Sequence, residues 1–302
     1  MAYFGNFFDD LGAHFNNYPA PVSIMDGESR VVERLPPPHL LAAPIHFFRN
    51  IRSNRELLRN MIARDFKINY HGHILGYFWS LLEPLALTAI FYLVFIILRG
   101  DADTLLPLNI MLGILIFQAF SRTLSNCTTS LVQNSALIKQ IYFPREIFPS
   151  AIAGFRLASL TLSMIIVLPY MIYESISPSY TVLLLPISMI FCVLMGQGFG
   201  MAAAVIQVRI RDVRQVIDLI LRAAFFLSGV FFTADIIPKD KLDMYLMNPI
   251  AVFIEMARSG VTGDMGVLTY SVIIRTVVVS LLIFAIGSSI FIRYERKAVK
   301  FL

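Results

Sequence analysis

"YFWSLLEPLALTAIFYLVFIIL", Tyr77 to Leu98, runs for 22 residues with one charged side chain, Glu83. A helix rises about 1.5 Å per residue, so this stretch reaches about 33 Å and covers a hydrocarbon layer about 30 Å thick. It reads as a membrane-spanning helix. Five further stretches share its character: Leu108 to Ser130, Ser150 to Ile172, Thr181 to Gln207, Val216 to Phe232 and Tyr270 to Ile292. Apolar length and flanking charge together predict an all-α integral membrane protein with six transmembrane helices.

Composition agrees. The mean hydropathy is +0.70. Hydrophobic residues make up 57% of the 302 and charged residues 15%, whereas soluble domains carry about 25% charged residues. The net charge of +5 is best read side by side, because basic residues near span ends mark the cytoplasmic face. Arg59, Arg64 and Lys67 precede the first span, Lys139 and Arg145 follow the second, Arg209, Arg211 and Arg214 follow the fourth, and Arg293, Arg296, Lys297 and Lys300 end the chain. With six crossings these groups share one side, which places both termini in the cytoplasm of a multi-pass protein of the cytoplasmic membrane. The opposite loops, "GDAD" after Arg99 and "ESISPS" from Glu174, are short and acidic or neutral. No basic region followed by an apolar run opens the chain, so the first span is expected to serve as its own targeting signal.

Outside the spans, residues 1–46 are mixed and proline-dotted, with "ERLPPPHL" at Glu33 to Leu40, and read as a cytoplasmic extension. Residues 47–72 read as an amphipathic interfacial helix: Ile51, Leu58, Met61 and Ile62 share one face and Arg52, Arg59 and Lys67 another. Between the fifth and sixth spans, "IAVFIEMA" at Ile250 to Ala257 is too short to cross and predicts a re-entrant or interfacial helix. Residues 73–302 then form the six-span domain.

Little in the chain carries catalytic chemistry. No GxxxxGK[ST] loop, HExxH, GxSxG or paired-carboxylate motif occurs, so neither a catalytic residue nor a cofactor site is assigned. Cys127 and Cys192 have no Cys or His neighbour at ligand spacing, and no metal site or disulfide is expected. "GQGFG", Gly196 to Gly200, falls inside the fourth span and reads as a small-residue face for close helix packing. Polar residues crowd the inner half of the second span: Gln118, Ser121, Arg122, Thr123, Ser125, Asn126, Thr128 and Thr129. They serve either bundle packing, with Arg122 snorkelling to the interface, or the lining of a polar path. Asp218 and Arg222, four apart, predict an ion pair on one helix face. Glu83 reads as an interfacial carboxylate bonded to a neighbouring helix, and Arg275 as a snorkelling anchor. Phe91, Tyr92, Phe95, Phe117, Phe120, Phe225 and Phe226 either pack the bundle or, with Arg122, line a path suited to sugars, whose C–H faces stack on aromatic rings.

Four motifs in order carry a resemblance. "RDFKINYHGHILGYFWSLLEPL", Arg64 to Leu85, resembles the approach to the first span in permeases of type-2 ABC exporters for polysaccharides and polyol phosphates. "IYFPREIFP" and "RIRDVRQVI" are similar to two cytoplasmic segments of that family, and "SGVFF" with "NPI" to its outer region. His71 and His73 stand where small or basic residues are more common, and Gly229 where proline often follows the serine. The resemblance covers the chain from about Arg64 onward.

It implies a homodimeric channel above two copies of an ATP-binding subunit, with ATP and magnesium on that partner, membrane lipids around it, a lipid-linked glycan as cargo and no role for nucleic acid. It further implies that Ile138, Lys139, Ile141, Tyr142, Phe143, Pro144, Arg145 and Glu146, with Arg211 and Asp212, couple the channel to the ATPase. Arg52, Arg55, Arg59 and Arg64 would meet the lipid phosphate where it enters. O-antigen is the leading cargo; teichoic acid, capsule and drug or lipid export share the architecture. A membrane-embedded glycosyl- or phosphotransferase would instead place acidic clusters on a cytoplasmic loop, and these loops are short and basic.

Overall fold

The computed structural model describes residues 43–70, 78–99, 104–140, 144–176 and 179–299. Among them every regular element is a helix. Two helices lead in, α1 (Ala43–Ser53) and α2 (Arg55–Tyr70). Then come α3 (Phe78–Arg99), α4 (Leu106–Gln133), the short α5 (Ser135–Gln140), α6 (Ile147–Ser163) and α7 (Val167–Tyr173). The second half holds α8 (Leu184–Gln207), α9 (Val213–Leu227), α10 (Lys239–Leu246), α11 (Pro249–Thr262) and α12 (Tyr270–Val299).

Five segments are long and apolar enough to cross a membrane: Phe78–Leu98, Leu106–Gln133, Ile147–Tyr173, Tyr180–Gln207 and Tyr270–Glu295. The third is α6 and α7 joined by a 3-10 turn, Met164–Ile166. Pro169 lacks the N–H that would bond the carbonyl of Ile165, which accounts for the tightening just before it. The fifth expected span differs. Val216 to Phe232 resolves into α9, whose 15 residues reach about 22 Å, short of the layer. The helix ends because Gly229 turns the chain with φ +69°, a conformation closed to proline and costly for any residue with a Cβ.

α4 is the central post, buried along most of its length, whereas α3 leaves Ile90, Leu93, Ile97 and Leu98 exposed. α8 packs on α4 through two small residues: a Cβ on Gly196 would stand 2.9 Å from the Phe120 carbonyl oxygen, and one on Gly200 would overlap Cys127. The opposite face of α8 meets α12, where a Cβ on Gly198 would lie 2.7 Å from the Phe284 Cα and one on Gly287 would overlap the Gly198 backbone. Dispersion contacts stand in for the hydrophobic drive that lipid removes, so close backbone approach holds these helices together. The cysteines fill the same layer, with the Cys127 thiol 3.5 Å from the Pro149 carbonyl and the Cys192 thiol 3.6 Å from that of Ile116.

α11 carries the expected short apolar segment and extends it. Asn248 caps it by accepting from the Ile250 N–H at 3.0 Å, and Gly263 ends it with φ +85°. Every residue from Ile250 to Val261 is buried. α1 and α2 replace the single surface helix expected over 47–72, with Asn54 between them and the Asn54 amide bonding its own carbonyl neighbour Asn50 at 2.9 Å. α2 does not lie apart from the spans. Ile62 fits against Gly154, Phe66 stacks edge-on to Phe155 with centroids 4.8 Å apart, and Tyr70 stands 3.5 Å from Ser159. The contacts advance eight residues on α2 and five on α6, so α2 climbs obliquely along the third span.

Replacing Gly198 or Gly287 with leucine is expected to destabilise the fold by about 1–3 kcal/mol. A lowered thermal midpoint of the detergent-solubilised chain on size exclusion would show this, with Ile286→Leu, at an exposed position, as the neutral reference.

Candidate functional site

Two helical faces meet to make a groove. On α4, Phe117, Ser121, Arg122, Ser125 and Asn126 recur at helical spacing; on α9, Arg214, Asp218, Leu221, Arg222, Phe225 and Phe226 do the same. Together they line a cavity of about 520 Å³. The helices run antiparallel across it. Thr129 meets Arg214 at 3.4 Å, the Ser125 hydroxyl donates to Asp218, and the Phe117 and Phe225 rings lie 5.1 Å apart.

The groove therefore has a charged end and an aromatic end, about 18 Å apart from Thr129 to Phe117 at helical rise. At the charged end Arg214 pairs with Asp218 at 3.4 Å. This replaces the expected Asp218–Arg222 pair: Arg214 sits one turn toward Thr129 and shares that polar contact, while Arg222 stays exposed along the groove. α3 packs beside the groove and contacts the residues around it. Its Glu83 pairs with Arg122, so Arg122 is held by a neighbouring helix rather than snorkelling. Eight residues on, Phe91 stacks on Phe231 at 4.1 Å, and Phe231 on Phe225 at 4.9 Å.

Of the aromatic residues singled out from sequence, Phe91, Phe117, Phe225 and Phe226 come together at this end, joined by Phe231. Phe120 is buried against Gly196 of α8. Tyr92 and Phe95 are half-buried on α3 outside the cavity lining.

Beyond the aromatic end lies a charged network that sequence reasoning passed over. Arg258 of α11, 3% exposed, donates to the Phe232 carbonyl at 2.9 Å, to Gly229 at 2.9 Å, to Val230 at 3.1 Å and to Asn109 at 3.0 Å. Its partner Glu255 accepts at 2.8 Å and also receives the Ala234 amide and the Tyr245 hydroxyl, both at 3.2 Å. Burial and the Glu255 carboxylate push the Tyr245 phenol up, so it remains a neutral donor. The signal was an Arg and a Glu three apart inside an apolar run, which places them on one helix face. Arg275 acts nearby, donating to the Leu246 carbonyl at 2.6 Å.

At the opposite end, the proposed coupling residues gather. α5 follows α4 directly, and its Leu137 and Ile138 pack inward with Ile51, Met61 and Ile147, which leaves Lys139 exposed. Ile141, Tyr142 and Phe143 lie outside the described residues. Pro144 is half-buried, and Arg145 reaches Glu295 at 3.9 Å. Glu146 occupies the N-cap of α6 without capping it; its buried carboxylate instead accepts from Asn50 of α1 at 3.0 Å. Arg211 and Asp212 are exposed in the α8–α9 turn, which Gln207 pins by donating to the Arg211 carbonyl at 2.9 Å and accepting the Arg214 amide at 2.8 Å. The entrance arginines Arg52, Arg55 and Arg59 are exposed, while Arg64 is half-buried and bound to Asp65 at 2.8 Å.

A multi-pass helical bundle with a half-open groove, polar at one end and aromatic at the other, is the architecture of a membrane transport protein. The chain belongs to the ABC-2 type transporter family, which its residues 56–262 match; permeases of this family are not themselves catalytic and work with an ATP-binding subunit. It is 23% identical over 237 residues to the O-antigen export system permease protein RfbA of Klebsiella pneumoniae, covering 78% of this chain and 91% of that one. Similarity extends to the RfbA protein of Myxococcus xanthus, at 22% over 208 residues, 68% of this chain and 80% of that one. The polysialic acid transport protein KpsM of Escherichia coli is 23% identical over 206 residues, 67% of this chain and 79% of that one.

Arg258→Met strands the Glu255 carboxylate and four backbone carbonyls, and is expected to cost about 3–5 kcal/mol. Thermal unfolding in detergent measures it. Adding Glu255→Leu should recover part of the loss, since the second change removes the stranded charge.

Proposed function

We propose that this chain is the permease subunit of an ATP-driven exporter that moves a lipid-linked polysaccharide of the O-antigen kind across the cytoplasmic membrane. Two copies form the channel, two copies of a separate ATPase bind beneath it with ATP and magnesium, and both termini face the cytoplasm, with α9 and the segment on to Phe232, which together run alongside α4 from Thr129 to Asn109, completing the sixth crossing. The observation that carries the reading is the groove between α4 and α9. Hydroxyl, amide and charged groups at one end can hydrogen-bond a hydrated glycan, and the rings at the other can stack on sugar faces. A half-open groove on one protomer, bounded by exposed apolar helices, becomes a closed path when a second copy faces it. The relatives' names support the choice of cargo, since export of O-antigen and transport of polysialic acid both concern surface polysaccharides. Polysialic acid keeps a capsule polymer as the second reading.

The positive-inside groups support the orientation. On that orientation α5, the residues from Ile138 to Glu146 and the α8–α9 turn with Arg211 and Asp212 would lie on the ATPase side. Closure of the ATPase would press on these two elements, one continuous with α4 and the other with α9, and so act on both walls of the groove.

Deleting the chain is expected to remove a polysaccharide from the cell surface and to accumulate the same polymer on its lipid inside the cell. Lipid extraction followed by mass spectrometry reads this, and an unchanged surface polymer would overturn the assignment. Affinity purification from native membranes should recover an ATP-binding subunit, with no ATP hydrolysis by the chain alone. Tyr142→Ala with Phe143→Ala should lower export while hydrolysis by the complex continues.

A further inference from the structure

The third span carries a cation that the groove does not use. Arg156 stands nine residues beyond Ile147, about 13 Å along the helix, in a segment long and apolar enough to cross the membrane. Its Nε atom is buried and donates to nothing among the described residues. Its guanidinium carbon lies 5.0 Å from the centre of the Phe155 ring. Within electrostatic reach are the Arg122 guanidinium, the Tyr70 phenol, the Cys127 thiol and the Asp65 carboxylate. The neighbouring carboxylates are already engaged, Asp65 by Arg64 at 2.8 Å and the carboxylate of Glu83 by Arg122. Three guanidinium groups against two carboxylates leave one positive charge in excess. Two hydroxyls adjoin it, those of Tyr70 and Ser159, 3.5 Å apart.

An ionised side chain at membrane depth is costly and marks a ligand or pathway site when it has no protein counter-ion. We propose that Arg156, with the Tyr70 and Ser159 hydroxyls, binds the phosphate or diphosphate ester of a lipid within the membrane. The inference rests on the reading that the cargo is lipid-linked, and it moves the phosphate contact from the surface arginines to the third span. A guanidinium presents a planar fork of N–H donors that matches phosphate oxygens, and hydroxyls add neutral donors. The phosphate would neutralise the excess charge and relieve the repulsion between Arg156 and Arg122. The route is in place: Arg52, Arg55 and Arg59 are exposed along α1 and α2, and α2 climbs from them to Tyr70 beside the site. The same phosphate chemistry can come from the cargo's carrier lipid or from a bilayer phospholipid.

Binding to the purified full-length chain in maltoside detergent separates these sources. The probes are farnesyl diphosphate, dihexanoyl phosphatidylglycerol and uncharged farnesol, with dissociation constants read by microscale thermophoresis. Farnesyl diphosphate is expected to bind more tightly than farnesol. Arg156→Gln should weaken it about tenfold, the loss of one charge-assisted hydrogen bond, Arg156→Lys should weaken it less, and Asp65→Asn should tighten it. Farnesol binding should not change in any variant. If phosphatidylglycerol alone depends on Arg156, the site stands with a bilayer phospholipid as its ligand. Equal affinity of both anionic probes for the wild type and Arg156→Gln overturns the site. Should that variant not fold, unchanged affinity in both Arg156→Lys and Asp65→Asn overturns it instead. Binding that ignores Arg156 in a chain that exports polymer defeats this inference alone. Arg156-dependent binding in a chain whose deletion leaves the surface polymer intact defeats the proposed function and leaves the site.

Discussion

A guanidinium buried among apolar helices must satisfy its N–H donors from protein alone, because no water is present to do so. Arg258 meets that demand with four backbone carbonyls and Glu255. Three of those carbonyls, on Gly229, Val230 and Phe232, belong to the segment where α9 stops, and the fourth, on Asn109, opens α4. One side chain thereby ties the end of α9, the start of α4 and the buried α11 into a single cap over the aromatic end of the groove. The cap holds the turn at Gly229 that ends α9. A helix continuing past Leu227 would keep those three carbonyls within its own ladder and leave Arg258 only Asn109 and Glu255.

The same accounting separates structural charges from those facing the groove. Arg258 and Glu255 are 4% and 10% exposed at their side chains, whereas Arg122 and Glu83 are 39% and 47% exposed, and Arg214 and Asp218 are 38% and 37%. A pair that open contributes about 0–1 kcal/mol to stability, so the groove's charges do little to hold the bundle together. The bundle is held instead by close backbone contact through Gly196, Gly198, Gly200 and Gly287, and by the buried apolar face of α4.

α2 connects these regions. Packed obliquely on α6 through Ile62, Phe66 and Tyr70, it keeps Arg55, Arg59 and Lys67 exposed and Arg64 half-buried. Sequence pattern placed this helix at the membrane surface because its polar and apolar faces alternate at the helical period. Its apolar face has a more specific partner than lipid, the lower half of the third span, where Gly154 leaves room for Ile62.

Composition and apolar run length by themselves determined that this is a multi-pass helical membrane protein, since only a helix about 20 residues long can cross hydrocarbon with its backbone bonded internally. Ordered motifs carried the family, and the small-residue face at Gly196 to Gly200 and the partnered Glu83 were legible as local features. The partners of charges were not. Asp218 could choose Arg214 or Arg222 at the same spacing, and only the position of Thr129 and Ser125 on α4 decided between them. Most acceptors of Arg258 lie more than twenty positions away, on Asn109, Gly229, Val230 and Phe232, so its setting was not legible in the local sequence. The shortened α9 was hidden from hydropathy, which counts apolar residues along the chain, whereas that helix ends in a turn at Gly229 held by a guanidinium that reaches it through the fold.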